Sequence, residues 1–513
     1  MTLLSDIIKQ HKPQEIFNFA EVEIKSIEND TRCVSPGSLF VAIAGENFNG
    51  HDHLKLMCEK GAAAIVIERD CDLSGVTVPV IKVDSSFEFL KTIAAWFYDN
   101  PSNKLTLTGI TGTNGKTTTS FFTKSVLAQK YCRCGLIGTI KYITGKNEVP
   151  APNTSPEPLF FQKLLNEMVN SGLKTAVMEV SSHAIKLGRI DNTEFDYLVF
   201  TNLSKEHTEF HPDMQDYYDT KASIFKKIAG QSMFFKKKPK YAIINIDDNY
   251  GQKLYNELKT MSIKPFTFSI RPEEAKERKI SSDLYAADIK LNFDGASFKM
   301  HYGAFSIDIA LKMTGIFNVY NALAAAAVGL CDGLSLDEIK CGLEALKGVS
   351  GRFQKVDFNA SFSVYIDYAH TPEGLLNVLS FAKKMKHNRI ITVFGCGGDR
   401  SKEKRPLMGY NVSTNSDLTI VTSDNPRTED PKSIIDDIIP GVENGQGRFF
   451  VEIDREKAIQ KAIDEAADGD IVIIAGKGHE NYQIIGNKKI HFDDYETAMK
   501  FLKQKRKNCV ENF

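Results

Sequence analysis

Eight consecutive residues, Gly112-Thr113-Asn114-Gly115-Lys116-Thr117-Thr118-Thr119, set glycines, a lysine and hydroxyl side chains in an order suited to phosphate. A glycine-rich turn between strand and helix exposes successive backbone N–H groups, and the helix N-terminus behind them carries a partial positive charge. Lys116 would reach the terminal phosphates of a nucleotide, and the Thr117 hydroxyl would sit on Mg²⁺. Gly112, Thr113, Asn114, Gly115, Lys116, Thr117 and Thr118 are therefore the candidate contacts to ATP or GTP. The strict phosphate-loop spacing asks for glycine at position 110, which is isoleucine; Gly109 is nearest, so the loop is a compact variant.

Such a loop needs a buried strand before it and a helix after it. Residues 105–111 read as the strand and 118–131 as the helix. A second strand candidate, 173–179, ends on Glu179, which could hold Mg²⁺, and Ser181, Ser182 and His183 follow it directly. A third, 195–202, runs on through Glu206, His207 and His211 to Lys221. Histidines four residues apart can share a helix face and a metal, but a pair without cysteines is more often structural. Lys221 taken alone reads as a solvated surface lysine.

The rest of the chain sets these elements in context. Its 513 residues are too many for one core and suggest three domains. A composition of 42% hydrophobic and 25% charged residues is that of a globular protein, and the net charge of -1 gives no reason to expect nucleic acid or an anionic membrane. Nine scattered cysteines, an odd number, argue against a disulfide framework and for a reducing compartment. The first residues lack a signal-peptide pattern and no apolar run approaches spanning length, so a cytoplasmic location is expected. Short strands at 38–43, 62–67 and 76–83 precede a helix at 87–98, and Asn100-Pro101-Ser102-Asn103 reads as a linker. Residues 364–367, 389–395, 418–422 and 471–476 read as strands of a further α/β region, with sites expected at strand C-terminal ends. Gly395-Cys396-Gly397-Gly398-Asp399-Arg400 fails as a dinucleotide fingerprint, because Arg400 stands where the third glycine belongs.

Taken together these residues resemble the Mur ligases of peptidoglycan synthesis, a family with folylpolyglutamate synthase as a more distant relative, and the resemblance covers essentially the whole chain. Residues 112–119 match the family's ATP loop, Glu179-Val180-Ser181-Ser182-His183 its second-strand motif, and Asn318-Val319-Tyr320-Asn321-Ala322 its adenine-side helix. Gly351-Arg352-Phe353 looks like the domain junction and Asp367-Tyr368-Ala369-His370 the ribose loop. The resemblance implies an α/β fold in three domains. Residues 1–102 would bind a uridine nucleotide, 103–348 would form a phosphate-loop-type central parallel sheet with ATP, and 349–513 a Rossmann-like domain for the incoming amino acid. It further implies two Mg²⁺ ions held by Thr117, Glu179 and His207. It also implies a carbamate formed from CO₂ on Lys221 beside the second metal, with His183 as a polar helper.

Within that family the chain looks closest to the branch that adds the third residue of the stem peptide. The motifs are 394–400 with Lys404-Arg405-Pro406, Thr422-Ser423-Asp424-Asn425-Pro426-Arg427, and 475–480. In that branch Asp424, Asn425 and Arg427 recognise the amine, with Arg400, Gly476 and Glu480. Arginine forks onto a carboxylate, so Arg427 and Arg400 suit the far-end carboxylate of meso-diaminopimelate and disfavour lysine. Thr31 falls in the uridine region, and Asn153, Thr154, Ser155, Ser181 and Arg189 match positions that hold the UDP-N-acetylmuramoyl dipeptide. Leu187 replaces a usual glutamine and Glu206 a usual aspartate. The expected partners are this acceptor, meso-diaminopimelate and ATP, with no nucleic acid and no membrane insertion, and the expected state is a monomer. Lysine or a folate-type acceptor on the same fold, or a nucleotide-dependent switch, are the competing readings.

Overall fold

A computed structural model describes residues 2–45, 48–204, 210–230, 240–292, 295–445 and 447–511. The chain divides into two compact units, Met1–Ala287 with Met300–Ile307 and Tyr320–Leu343, and Asp288–Lys299 with Asp308–Val319 and Glu344–Phe513.

In the first unit a small sheet runs in the order Glu15–Phe17, Val80–Lys82, Ala64–Ile67, Ser38–Val41, Ser26–Glu28. Its pairs are parallel except at Glu15–Phe17. The apolar runs of the sequence supply its buried strands, and Ser85 caps the helix Ser86–Phe97 by accepting from Glu88 N–H. The segment that reads as a linker is instead an ordered turn, Pro101–Lys104. Its Ser102 is buried and accepts a hydrogen bond from Glu194 N–H at 3.2 Å, and Lys91 pairs with Asp191 at 3.1 Å. Turn-forming residues mark a change of direction, and here the turn packs with Pro101 and Ser102 buried.

The larger sheet has Thr106–Thr111 near its middle, every residue buried. Thr175–Glu179 pairs parallel on one side, with Glu179 opposite Ile110, and Tyr197–Phe200 pairs parallel on the other, with Phe200 opposite Thr111. Three strand C-termini thus end side by side, which is where an open α/β sheet places its ligands. Gly109 lies inside the strand rather than in the loop: a Cβ there would come within 2.9 Å of Leu198 and Phe195. It serves close packing under the sheet. The antiparallel strands Lys141–Ile143 and Glu148–Pro150 at one edge, and Leu284–Asn292, Gly295–Tyr302 and Phe305–Leu311 beyond Lys264–Ser269, extend the sheet past the expected parallel core.

The second unit holds a six-stranded sheet in the order Gln354–Lys355, Ser363–Asp367, Ile471–Ala475, Ile390–Phe394, Leu418–Val421, Arg448–Val451. All of its pairs are parallel except the first. Helices such as Lys404–Asn415 and Arg455–Glu465 cover it. No described helix is long and apolar enough to cross a membrane. In helix Asp494–Glu511, Lys505 donates to the carbonyls of Ile463 and Ala466 at the end of a neighbouring helix.

Candidate active site

Strand Thr106–Thr111 delivers the loop 112–115, and the helix begins at Lys116, two residues earlier than its sequence suggests, running to Tyr131. Both glycines are required by geometry. Gly112 has φ +146 and a Cβ would meet Thr201 Oγ1 at 2.0 Å; Gly115 has φ +86 and a Cβ would meet Asn321 Oδ1 at 2.4 Å. The neighbouring strand end fastens the loop: Thr113 N–H donates to Asn202 O at 2.9 Å, Asn114 N–H to Asn202 Oδ1 at 2.9 Å, and Thr201 Oγ1 to Asn114 O at 2.7 Å. Lys116 Nζ donates to the carbonyls of Gly112 and Thr113, each at 2.9 Å. Asn321 accepts from Thr119 Oγ1 at 3.1 Å, which places the expected adenine-side residue against the loop's helix. Thr117 and Thr118 are buried in the first turn of that helix, and Asn114 is exposed.

Glu179 is the hub. Fully buried at its strand end, it accepts from Thr117 Oγ1 at 2.9 Å, from Thr139 N–H at 2.8 Å and from Thr139 Oγ1 at 2.9 Å. Thr139 in turn lies 3.1 Å from Thr154 Oγ1. The Glu179 backbone carbonyl accepts from Ser155 Oγ at 3.0 Å, and Ser155 Oγ bonds to Ser181, as donor to Oγ at 3.3 Å and acceptor from N–H at 3.1 Å. Arg189 donates to Ser155 O at 3.3 Å and pairs with Glu157 at 2.7 Å. Asn153 is exposed, and its carbonyl accepts from Tyr142 OH.

Helix Met214–Gly230 carries Lys221 to the loop, where it is 1% exposed. The solvated reading of this lysine is thus corrected: Nζ donates to Gly112 O at 3.0 Å and to Thr111 Oγ1 at 3.4 Å, and lies 4.7 Å from the Tyr217 ring centroid. His183 is the second residue of the short helix Ser182–Lys186 and stacks on Phe210 at 3.9 Å between ring centroids. His207 and Glu206 lie outside the described residues. His211 precedes the helix Met214–Gly230 rather than lying on it, because Pro212 intervenes, and its Nδ1 is 2.6 Å from Asp216 Oδ2. Among the described residues no three His, Cys, Asp or Glu side chains gather as a metal site. Thr117 and Glu179, hard oxygen donors in hydrogen-bond contact at the loop, do fit a Mg²⁺ ion. Thr31, half-buried in the small-sheet region, offers its carbonyl to Lys60 Nζ at 2.7 Å.

The second unit holds the residues expected to receive the amine. Asn425 donates through Nδ2 to Glu480 Oε2 at 2.8 Å and accepts at Oδ1 from Lys477 Nζ at 3.2 Å and Ile484 N–H at 3.0 Å. Arg427, at φ +51, donates through Nη1 to Gly398 O at 2.5 Å, and its backbone N–H bonds to Ile484 O. Arg400 is exposed, with Nη1 on Asp399 O at 2.9 Å. Asp424 sits over Gly476, where a Cβ would come within 2.5 Å of its Oδ2. Asp367 accepts from Phe353 and Ala369 N–H at 2.7 Å each; burial raises its pKa, against the nearby Arg352, whose guanidinium lies 5.2 Å from the Tyr368 ring centroid.

Comparison with known proteins matches three family models in succession: "Mur ligase family, catalytic domain" over residues 23–98, "Mur ligase middle domain" over 110–329 and "Mur ligase, glutamate ligase domain" over 351–478. A UDP-N-acetylmuramoyl-L-alanyl-D-glutamate–2,6-diaminopimelate ligase of Alkaliphilus oremlandii is 42% identical over 501 residues, covering 98% of this chain and 99% of that one. The chain belongs to the Mur ligase family. The ligase of the same name from Clostridioides difficile is 40% identical over 96% of this chain and 98% of its own. A solved structure with that name aligns with TM-score 0.64 at 29% identity, covering 94% of this chain and 95% of that one. The MurF ligase of Thermotoga maritima, solved in complex with ADP, aligns with TM-score 0.64 at 19% identity over 94% and 98% and shares the fold.

This Mur ligase is therefore an enzyme with the three-part α/β architecture of its family. Two of its site-lining residues are not among the expected site residues, one lying outside the motifs and the other inside the 475–480 motif. Thr139 follows strand Gly135–Ile137 beside Glu179, and Gly138 is confined because a Cβ there would meet Glu179 Oε1 at 2.3 Å. A Gly-Thr pair closing a strand next to the acidic strand is the signal that could have found it. Lys477, buried between Asn425 and Glu480, is the other. Leu187 is 42% exposed at the end of helix Ser182–Lys186.

Proposed function

We propose that this Mur ligase joins meso-2,6-diaminopimelate to the D-glutamate γ-carboxylate of UDP-N-acetylmuramoyl-L-alanyl-D-glutamate, using ATP. The γ-phosphate passes to the carboxylate, giving an acyl phosphate and ADP; the amine attacks the acyl carbon, and phosphate leaves as the amide forms. The observation that carries this reading is the hydrogen-bonded run Thr117–Glu179–Thr139–Thr154, continued through the Glu179 carbonyl to Ser155, Ser181 and Arg189. It joins a phosphate loop to the residues expected to hold the acceptor, so the two reactants would meet at neighbouring strand ends.

In this reading Gly112 to Thr118 cradle the phosphates and Lys116 moves onto the transferring group, whose charge it stabilises. Thr117 and Glu179, with His207, would hold Mg²⁺, which when bound neutralises phosphate charge. Lys221, buried beside the loop, is the lysine on which CO₂ would form a carbamate with loss of a proton, giving an anion there. His183, stacked on Phe210, is a polar neighbour of the acceptor side. Asn321, Arg352 and Asp367 serve the nucleoside, and Thr31 the uridine end of the acceptor. Asp424, Asn425, Arg427, Arg400, Gly476 and Glu480 receive the amine. Arg427 forks onto its far-end carboxylate and the acidic groups face its ammonium. Residues 1–102, 103–348 and 349–513 would be the three functional parts of a cytoplasmic monomer.

Phosphate release and product mass test the proposal, with ATP, Mg²⁺, bicarbonate and the UDP-muramoyl dipeptide present and meso-diaminopimelate, L-lysine or no amine added. Release that requires both acceptor and diaminopimelate, with a tripeptide product, is the expected result. Preference for lysine would overturn the pocket assignment, and release independent of amine would overturn the ligase reading.

A further inference from the structure

Arg455 belongs to none of the motifs above, yet it is 2% exposed and its side chain is fully buried next to segments expected to hold the amine. It opens helix Arg455–Glu465, which Asp454 caps through Glu456 and Lys457 N–H. Its guanidinium forks onto the equally buried Asp494, Nε to Oδ1 at 2.8 Å and Nη2 to Oδ2 at 2.7 Å. Nη2 also donates to the carbonyl of Ala475 at 2.9 Å, the residue immediately before Gly476. Nη1 points the other way and lies 3.9 Å from Asp424 Oδ2.

Asp424 is fixed on every side but one. Its backbone carbonyl accepts from Gln483 Nε2 at 2.7 Å, and its Oδ1 accepts from Asn425 N–H at 2.7 Å. Oδ2 is buried and has no hydrogen-bond partner among the described residues, and neither has Arg455 Nη1. A buried carboxylate oxygen without a donor is costly, and a guanidinium at near-contact distance offsets that cost without occupying the oxygen's lone pairs. The absence of a side chain at Gly476 keeps the same oxygen clear. Asp494, Asp424 and the Ala475 carbonyl therefore share one cation, and two of the three belong to segments expected to touch the amine.

We propose that Arg455 is a positioning residue for the incoming amine. Clamped by Asp494 and the Ala475 carbonyl, it holds the Asp424 carboxylate in place with Oδ2 left to accept an N–H from an ammonium group of the amino acid substrate. The inference rests on the amine pocket of the proposed function. Loss of a solely structural Arg455–Asp494 pair would lower folding stability and weaken all three substrates together, whereas loss of a positioning residue affects one substrate selectively.

The test uses the full chain with Arg455→Lys, which keeps the charge but not the fork, and Asp494→Asn, which loosens the clamp while leaving the guanidinium. KM is measured separately for the amine, ATP and the UDP-muramoyl dipeptide, using whichever amine the wild-type enzyme turns over. A wrong assignment of the amine then shows in the wild-type control, and failure of the Arg455 reading shows only in the variants. The expected result for R455K is a rise of about tenfold or more in amine KM, with the other two KM values within about twofold, and a smaller shift of the same selectivity for D494N. In an Asp424→Asn background R455K should add less than about twofold, since the two residues act as a unit. An unchanged amine KM, equal losses for all three substrates, additivity with D424N, or failure of both variants to fold would each overturn the proposal.

Discussion

Replacing Arg427 with methionine tests the amine pocket most directly. Among the described hydrogen bonds only Nη1 of its guanidinium is engaged, on the Gly398 carbonyl at 2.5 Å, so its remaining N–H groups are left for a ligand. The backbone of residue 427 is held independently, by Ile484 O on its N–H and by Gly486 N–H on its carbonyl, so the substitution leaves the loop in place. Methionine keeps the length and volume and removes the fork. Two charge-assisted bonds to a carboxylate contribute about 1.5–3 kcal/mol each, and the half-buried setting favours the lower figure. The sum of about 3 kcal/mol corresponds to a fall of about 150-fold in kcat/KM for diaminopimelate. The Gly398 carbonyl loses one donor, a stability cost of about 1 kcal/mol. Steady-state phosphate release at saturating ATP and acceptor, with diaminopimelate varied, measures the effect. Retention of kcat/KM within about threefold, or an equal rise in the KM for ATP, would refute the reasoning.

Two further outcomes follow from geometry already given. Gly115→Ala places a methyl group 2.4 Å from Asn321 Oδ1 at a φ of +86, so Mg-ADP affinity measured by calorimetry should fall by at least about tenfold, while the melting temperature drops only modestly. Glu429, hydrogen-bonded by the buried Arg405, has its carboxyl held down to about 2 from an ordinary 4.5. A lowered pKa gives stability that is fully present above the ordinary carboxylate range and is lost as pH falls toward about 2. The melting-temperature difference between wild type and Glu429→Gln should therefore be constant above about pH 5 and shrink below it; a difference that widens in acid would contradict the pairing.

Much of this architecture is legible in the sequence because buried parallel strands are mainly apolar runs, as in the strands ending at Glu179 and Phe200, while the strand ending at Thr111 alternates threonine with apolar residues and is marked by the glycine-rich loop that follows it. The loop glycines are legible for a related reason, since positive φ leaves few alternatives to glycine. Lys221 is not legible from its own neighbourhood. A lysine in a helix reads as solvated unless the surface it faces is known, and only the pairing of Tyr197–Phe200 beside Thr106–Thr111 brings that helix over Gly112. Pro101 and Ser102 mislead in the opposite direction, because turn chemistry says where the chain bends and nothing about what packs on the bend. Arg455 and Thr139 are missed for a third reason: their partners lie 39 and 40 residues away in the chain, where no local spacing rule reaches.

Lys116 donates to two carbonyls of its own loop, Gly112 and Thr113. Its long side chain, which has about 2 kcal/mol of rotamer entropy to lose, is thus ordered when the chain folds, before any phosphate arrives. Capture of a nucleotide by this lysine exchanges one set of acceptors for another instead of immobilising a free chain. The resulting enthalpy is a difference between two hydrogen-bonded arrangements. A modest binding heat from this contact is therefore compatible with a lysine on which phosphoryl transfer depends completely.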